Sequence, residues 1–355
     1  MDPTVDWAFA QKIAVRVAGR EPVADSYHWD SLAPDFEEFT ALAEELVAET
    51  TGLRSLAGPA RARVTDRAGW IGANVSSFQR LLRPVLDKFS ERIGESPMAP
   101  VTRRATGFEV GALLGWMSGR VLGQYDLLII EDEDPDDQDL VYYVGPNVLA
   151  LEKMYAFPPR EFRLWLALHE VTHRAQFTGV PWMREHFLGL VGEVLESVDP
   201  DPARLFAVVE QLADAIRSGR NPLADGGIAT LIAGPEQRAA IEAVSGLMSL
   251  LEGHGDVTMD RAGKDLVPNA ARFARVLQQR RNQAAGLTKL LQQVIGLEAK
   301  LAQYEQGERF IEAVEAEGGT ALLDRAWLAP ANLPTIAEIR EPARWVERVR
   351  EADAA

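Results

Sequence analysis

The sequence predicts a mainly α chain of the α+β class, with a small β-sheet among many helices. Helical periodicity or helix-forming composition covers residues 8–18, 34–50, 58–92, 105–123, 160–177, 183–197, 202–217, 236–262, 268–295, 297–317 and 342–351. Extended patterning is confined to residues 126–130 and 140–151. With 355 residues, 47% of them hydrophobic, the chain can bury a large core.

Taken in order, these elements group into three regions. Residues 1–104 form an N-terminal helical region. Residues 105–270 are expected to form a core, the one that holds the candidate metal-binding helix described next, with a helical insertion at 183–235, and residues 271–355 a C-terminal helical region packed on that core as part of one unit. Gly107, Gly111, Gly115, Gly119 and Gly123 recur every fourth residue, a ridge without side chains that lets another helix pack closely. Residues 131–139 are almost entirely acidic and read as a solvated loop, since they lack the glycine and spacing of a calcium-binding EF-hand. Residues 272–309 carry Arg, Gln and Lys at helical spacing, as a solvated helix face does.

The helix at 160–177 carries the chemistry. Pro158 and Pro159 precede it, where proline suits a helix start, and Gly179 with Pro181 follow. Phe162, Trp165, Leu166, His169, His173 and Gln176 recur at helical spacing, and Leu164, Leu168, Val171 and Ala175 make the other side apolar as well, so the helix is expected to be buried on most sides. Within it stands His169-Glu170-Val171-Thr172-His173, an HExxH pattern in a chain with only five histidines. Residues four apart on a helix share a face, so the two imidazoles can converge on one Zn²⁺ while Glu170, one step round, points at the open coordination position. Burying three titratable groups is costly unless something pairs with them, and a metal ion would.

Zinc needs a third protein ligand, and with no cysteine in the chain it must be His or a carboxylate. Position 179, six residues after His173, is Gly. His186 and Glu193 lie in the next segment as candidates. Glu252, in Leu250-Leu-Glu-Gly-His-Gly-Asp256, is the better one. Asp256 follows it by four residues on the same helix face, so Glu252 can bind the metal while Asp256 accepts the second ring N–H of a ligand histidine. His254 lies about 200° round the helix from Glu252, so the two do not bind one ion together.

HEVTH followed by EGHGD looks like the gluzincin branch of the zincins. More closely, HEVTHRAQFTGVPWM, LMSLLEGHGD and the tail at 307–349 with LPTIAEIREPARWVERV resemble an actinobacterial and chloroflexal family described as zincin-like metallopeptidases type 2, some of whose members are associated with biosynthesis of the deazaflavin coenzyme. The resemblance covers nearly the whole chain. It implies a zincin-like core, a zinc ion on His169, His173 and Glu252, Glu170 as general base, and hydrolase activity without a stated substrate. The 79 residues from His173 to Glu252 exceed the ordinary gluzincin interval, which places a helical insertion between the two halves of the site. In zincin-like folds the strand before the active-site helix offers its edge to an extended peptide, a role that would fall on residues 142–149.

The function expected is zinc-dependent hydrolysis of a peptide or other amide. Glu170 would act as base, and His254, His186, Tyr142 or Tyr143 would stabilise the oxyanion. Two other classes stand beside it: a zinc-binding, non-catalytic helical partner or maturation protein in a coenzyme pathway, and a metal-free helical scaffold. A net charge of −16 argues against nucleic acid or an anionic membrane as partner. The first residues show neither a basic segment nor an apolar one after it, so a cytoplasmic protein is expected.

Overall fold

Small residues decide how the first helices meet. The structure, a computed structural model, describes residues 5–21, 23, 26, 28–93, 99–125, 127, 139–196, 235–282 and 297–354. In chain order the elements are α1 (Trp7–Ala18), α2 (Leu32–Thr51), β1 (Arg61–Thr65), α3 (Arg67–Ile93), α4 (Ala99–Ser118), β2 (Gly123–Tyr125), β3 (Leu140–Val144), α5 (Gly145–Tyr155), α6 (Pro159–Gly179) and α7 (Met183–Glu196). Then come α8 (Pro235–Ala262), α9 (Ala270–Asn282), α10 (Leu297–Leu323, kinked at Gly319), α11 (Ile336–Arg340) and α12 (Pro342–Ala354). The mainly helical fold with a small sheet is as the sequence predicts. Among the described residues no helix is long and apolar enough to cross a membrane.

The chain forms two units, the first made of residues 1–181 and 258–273 and the second of 182–257 and 274–355. In the first, the glycine ridge of α4 lies on α1. A Cβ on Gly107 would sit 2.7 Å from Asp6 O, and one on Gly111 or Gly115 would overlap Ala10 O or Ala14 O, so backbone meets helix directly. Trp70, Ile71, Leu114 and Val144 close a core around this pair. The ridge ends sooner than the sequence suggests. α4 stops at Ser118, whose hydroxyl donates to Gly115 O at 2.8 Å, and Gly123 belongs to β2.

The sheet has the order β1-β3-β2, with β1 parallel and β2 antiparallel to β3. Two sequence expectations change here. Residues 61–65 were expected to be helical and are a strand, because their half-buried pattern shows no clear alternation. Residues 145–151 were expected to be extended and open α5, with Pro146 in the first helical turn, where its missing N–H is no loss. β3 is thus short, wholly buried and paired on both sides, so residues 142–149 have no edge to offer a peptide; the edge opposite β1 is β2. Of the strand expected at 126–130 only Leu127 is described. The acidic residues 131–138, the expected helix at 202–217 and the end of the one at 268–295 likewise lie outside the described residues.

In the second unit α8 and α10 touch at Gly253 and Gly307, where a Cβ on Gly307 would overlap the carbonyl oxygen of Ser249. A Cβ on Gly246, two turns earlier, would stand 2.6 Å from Pro334 O. α11 starts with a reciprocal cap in which Thr335 Oγ1 accepts from the Glu338 amide and Glu338 accepts from the Thr335 amide. Trp345 is fully buried, packs edge-on against Phe310 at 5.4 Å and donates its indole N–H to Asn332 O at 2.7 Å.

Candidate metal centre

α6 owes its position to two arginines buried on either side of the HExxH segment. Arg163 is 1% exposed and grips Glu152 of α5 through Nε (2.8 Å) and Nη2 (2.9 Å), while Nη1 donates to Asp35 of α2 at 2.6 Å and to Ser31 Oγ at 2.9 Å. Burial alone would lower its pKa, but Glu152 first and Asp35 second outweigh that and hold it above the ordinary guanidinium value. Arg174, next to His173 and also 1% exposed, donates to Glu44 Oε1 (2.7 Å), Gly58 O (2.7 Å) and Asp139 Oδ2 (3.1 Å from Nε). Buried guanidinium groups are tolerated only with such complete pairing, and once paired they fix the helix that carries them.

At its N-terminal end α6 adds apolar anchoring. Phe162 and Trp165 pack with Phe157 and Phe273, the Phe162 and Phe273 rings meeting edge-on at 5.2 Å. Glu161 accepts from the Asn269 side chain at 2.9 Å, and Leu168 lies against Gly263, just beyond the end of α8. The last turn of α8 and the segment after it are therefore seated on α6.

Between the arginines, the rings of His169 and His173 stand edge to face at 4.7 Å. His173 Nδ1 lies 2.9 Å from Oε1 of the fully buried Gln176. With that oxygen accepting, the proton sits on Nδ1 and the lone pair on Nε2, the form a metal requires. One ligand atom from each of His169, His173 and Glu252 lies within 4.8 Å of the others, and this is the one such group of metal-binding side chains among the described residues. Two imidazoles and a buried carboxylate are the donor set zinc takes in hydrolytic sites with one position left open, so the residues present fit the ion.

Glu170 stands apart from these ligand atoms. It is 8% exposed, and its Oε2 accepts from the Tyr125 amide of β2 at 3.1 Å. Tyr143 of β3 is fully buried, stacks on Phe36 at 3.8 Å and shares a 2.8 Å hydrogen bond with Thr40. Burial pushes its phenol far above the ordinary tyrosine range, the Thr40 bond opposes this, and the Glu170 charge adds to it.

Residues 5–346 match the zincin-like metallopeptidase family. The chain belongs to this family. A crystal structure described as "a putative hydrolase with a novel fold from Chloroflexus aurantiacus" is similar to it at 30% identity and a TM-score of 0.72, over 98% of this chain and 99% of that one. No curated protein matches the chain.

Each of the other oxyanion candidates packs on a neighbour within its own unit. Tyr142, its neighbour Tyr143 facing the other side of the sheet, lies under the Arg63 guanidinium at 6.0 Å. His186 of α7 packs edge-on against Trp182 at 5.8 Å, and His254 of α8, 6% exposed, does the same with Trp327 at 4.9 Å. Asp256 follows Glu252 by one turn of α8. Sequence reasoning placed Gln176 at helical spacing with His169 and His173 but gave it no role; its position three residues after His173 could have revealed the bond to Nδ1. It also missed Gly123 and the Tyr125 amide, for which nothing in the sequence speaks.

Proposed function

We propose that this chain is a zinc-dependent hydrolase of peptide or other amide bonds. The observation that carries the reading is the convergence of His169, His173 and Glu252, ligand atoms within 4.8 Å of one another, while the adjacent Glu170 is held outside that set by a strand amide. A carboxylate that is not a ligand but sits one residue from one is what a general base requires. Bound on those three side chains, zinc supplies a Lewis acid and lowers the pKa of water in its open position.

The chain's own groups do the rest. Gln176 orients the His173 ring, and Asp256 is assigned the matching bond to His169. Tyr125 N–H holds Glu170 Oε2, and the Glu170 carboxylate would take the proton from the attacking water and later return it to the leaving amine. His254, His186 and Tyr142 remain the candidates to stabilise the oxyanion. Tyr143 already spends its hydroxyl on Thr40, which favours a role in holding β3.

The test is Glu170→Gln, compared with wild type after both are loaded with zinc and offered mixed fluorogenic peptides and simple amides. The expected result is full zinc content with turnover reduced by about two orders of magnitude or more. Wild-type turnover in the variant would contradict the mechanism.

A further inference from the structure

Among the described residues, a Cβ added to a close-packed glycine would meet backbone, side chain or both. At Gly111, Gly115, Gly246 and Gly307 a Cβ would run into backbone, which moves only if whole elements move. Gly123 differs. The three atoms nearest to a Cβ built there all belong to the Glu170 side chain: Cγ at 2.7 Å, Oε1 at 2.7 Å and Cδ at 2.9 Å. Real Cβ contacts do not come so close, and the neighbour that must yield is the end of a flexible side chain.

The strand that carries Gly123 is itself fixed. Gly123, Gln124 and Tyr125 pair with Tyr143, Tyr142 and Val141 of β3. The Gln124 side chain is held on α3, its Oε1 accepting from Trp70 Nε1 at 2.8 Å and its Nε2 donating to Asn74 Oδ1 at 3.2 Å. Asn74 is tied in turn to Trp70 O at 2.9 Å. β2 thus has little freedom to back away, and its residues 123 and 125 both face one carboxylate, the first by steric clearance and the second by its amide.

We propose that Gly123 is a positioning residue for Glu170: by presenting no side chain it lets the carboxylate seat against β2 on the Tyr125 amide, and any residue with a Cβ there displaces the carboxylate while sparing the fold and the metal ligands. The inference rests on Glu170 being the base only for its catalytic consequence. The seating itself is a matter of shape.

Gly123→Ala tests it, alone and combined with Glu170→Ala. The crystal structure of the single variant is expected to show Glu170 Oε2 beyond 3.5 Å from the Tyr125 amide nitrogen, with an unchanged melting temperature and zinc content. Acetohydroxamate, whose hydroxyl proton passes to an adjacent carboxylate as it chelates zinc, serves as the binding probe. Its affinity for the zinc-loaded single variant should fall about tenfold, within the range of couplings between residues in contact. In the Glu170→Ala background the same glycine substitution should change nothing further, which a merely structural role would not produce. A carboxylate still seated on Tyr125, or equal affinity losses in both backgrounds, would overturn the inference. Because the carboxylate's position is read with or without metal, a wild-type chain that takes up no zinc would sink the hydrolase reading and leave this one to be decided by the structure.

Discussion

α6 and α8 carry the residues of the proposed ligand set, and the two helices are held in opposite ways. α6 is fixed by charge: Arg163 and Arg174, each 1% exposed, bind four carboxylates on α2, on α5 and before β3. α8 is fixed around Glu252 by shape, through Gly246 and Gly253 and their direct backbone contacts with Pro334 and Gly307. Charge pairing tolerates small shifts because long side chains follow one another, but leaves a large penalty if a partner is lost. Glycine contact has no such reserve, and a single added methyl group separates the elements.

The largest effect expected is on the charged side. Glu152→Ala leaves Arg163 buried with one of its two carboxylates and should destabilise the protein by about 3–5 kcal/mol, read from chemical denaturation. Gly307→Ala breaks the shape side, at a cost of about 1–3 kcal/mol for an overpacked contact. It should weaken zinc binding by moving Glu252, whereas Gly123→Ala should leave zinc in place; competition with a chelator reads both. Gln176→Leu removes the partner of His173 Nδ1 and should lower zinc affinity by about 10–100-fold without a matching change in the apo protein's melting temperature.

The smallest effect is one of pH and concerns the cap of α11. Burial would raise the Glu338 carboxyl, but Arg348, 2.6 Å away, and Thr335 outweigh it and hold it below the ordinary glutamate range. A depressed carboxyl stabilises the fold above its unfolded pKa and loses that contribution as pH falls through its folded pKa. Glu338→Gln should therefore lower the melting temperature at neutral pH and converge on wild type in acid.

What the sequence disclosed follows the range of the interactions involved. The two histidines on α6 are a four-residue spacing on one helix, so their shared face could be read directly, as could the placing of Glu252 and Asp256 one turn apart on α8. The sheet was harder. Arg61 to Thr65 has no alternation because the strand is half-exposed, and the run from Leu140 to Leu151 is apolar but for Asn147, so nothing marks Gly145 and Pro146 as the place where strand gives way to helix. The glycine ridge was read past its end because Gly123 keeps the four-residue beat after the helix has stopped at Ser118. Nothing local marks Gly123 as a neighbour of Glu170, since 47 residues separate them and the contact arises from strand pairing.

Metal content tests the central claim most directly. Elemental mass spectrometry on untagged wild-type protein, His169→Ala and Glu252→Ala, each remetallated and dialysed, should give about one zinc per wild-type chain and far less in both variants. Retention of zinc by Glu252→Ala would contradict the proposed ligand set and move the third ligand elsewhere. A wild-type chain without zinc would contradict the hydrolase reading itself.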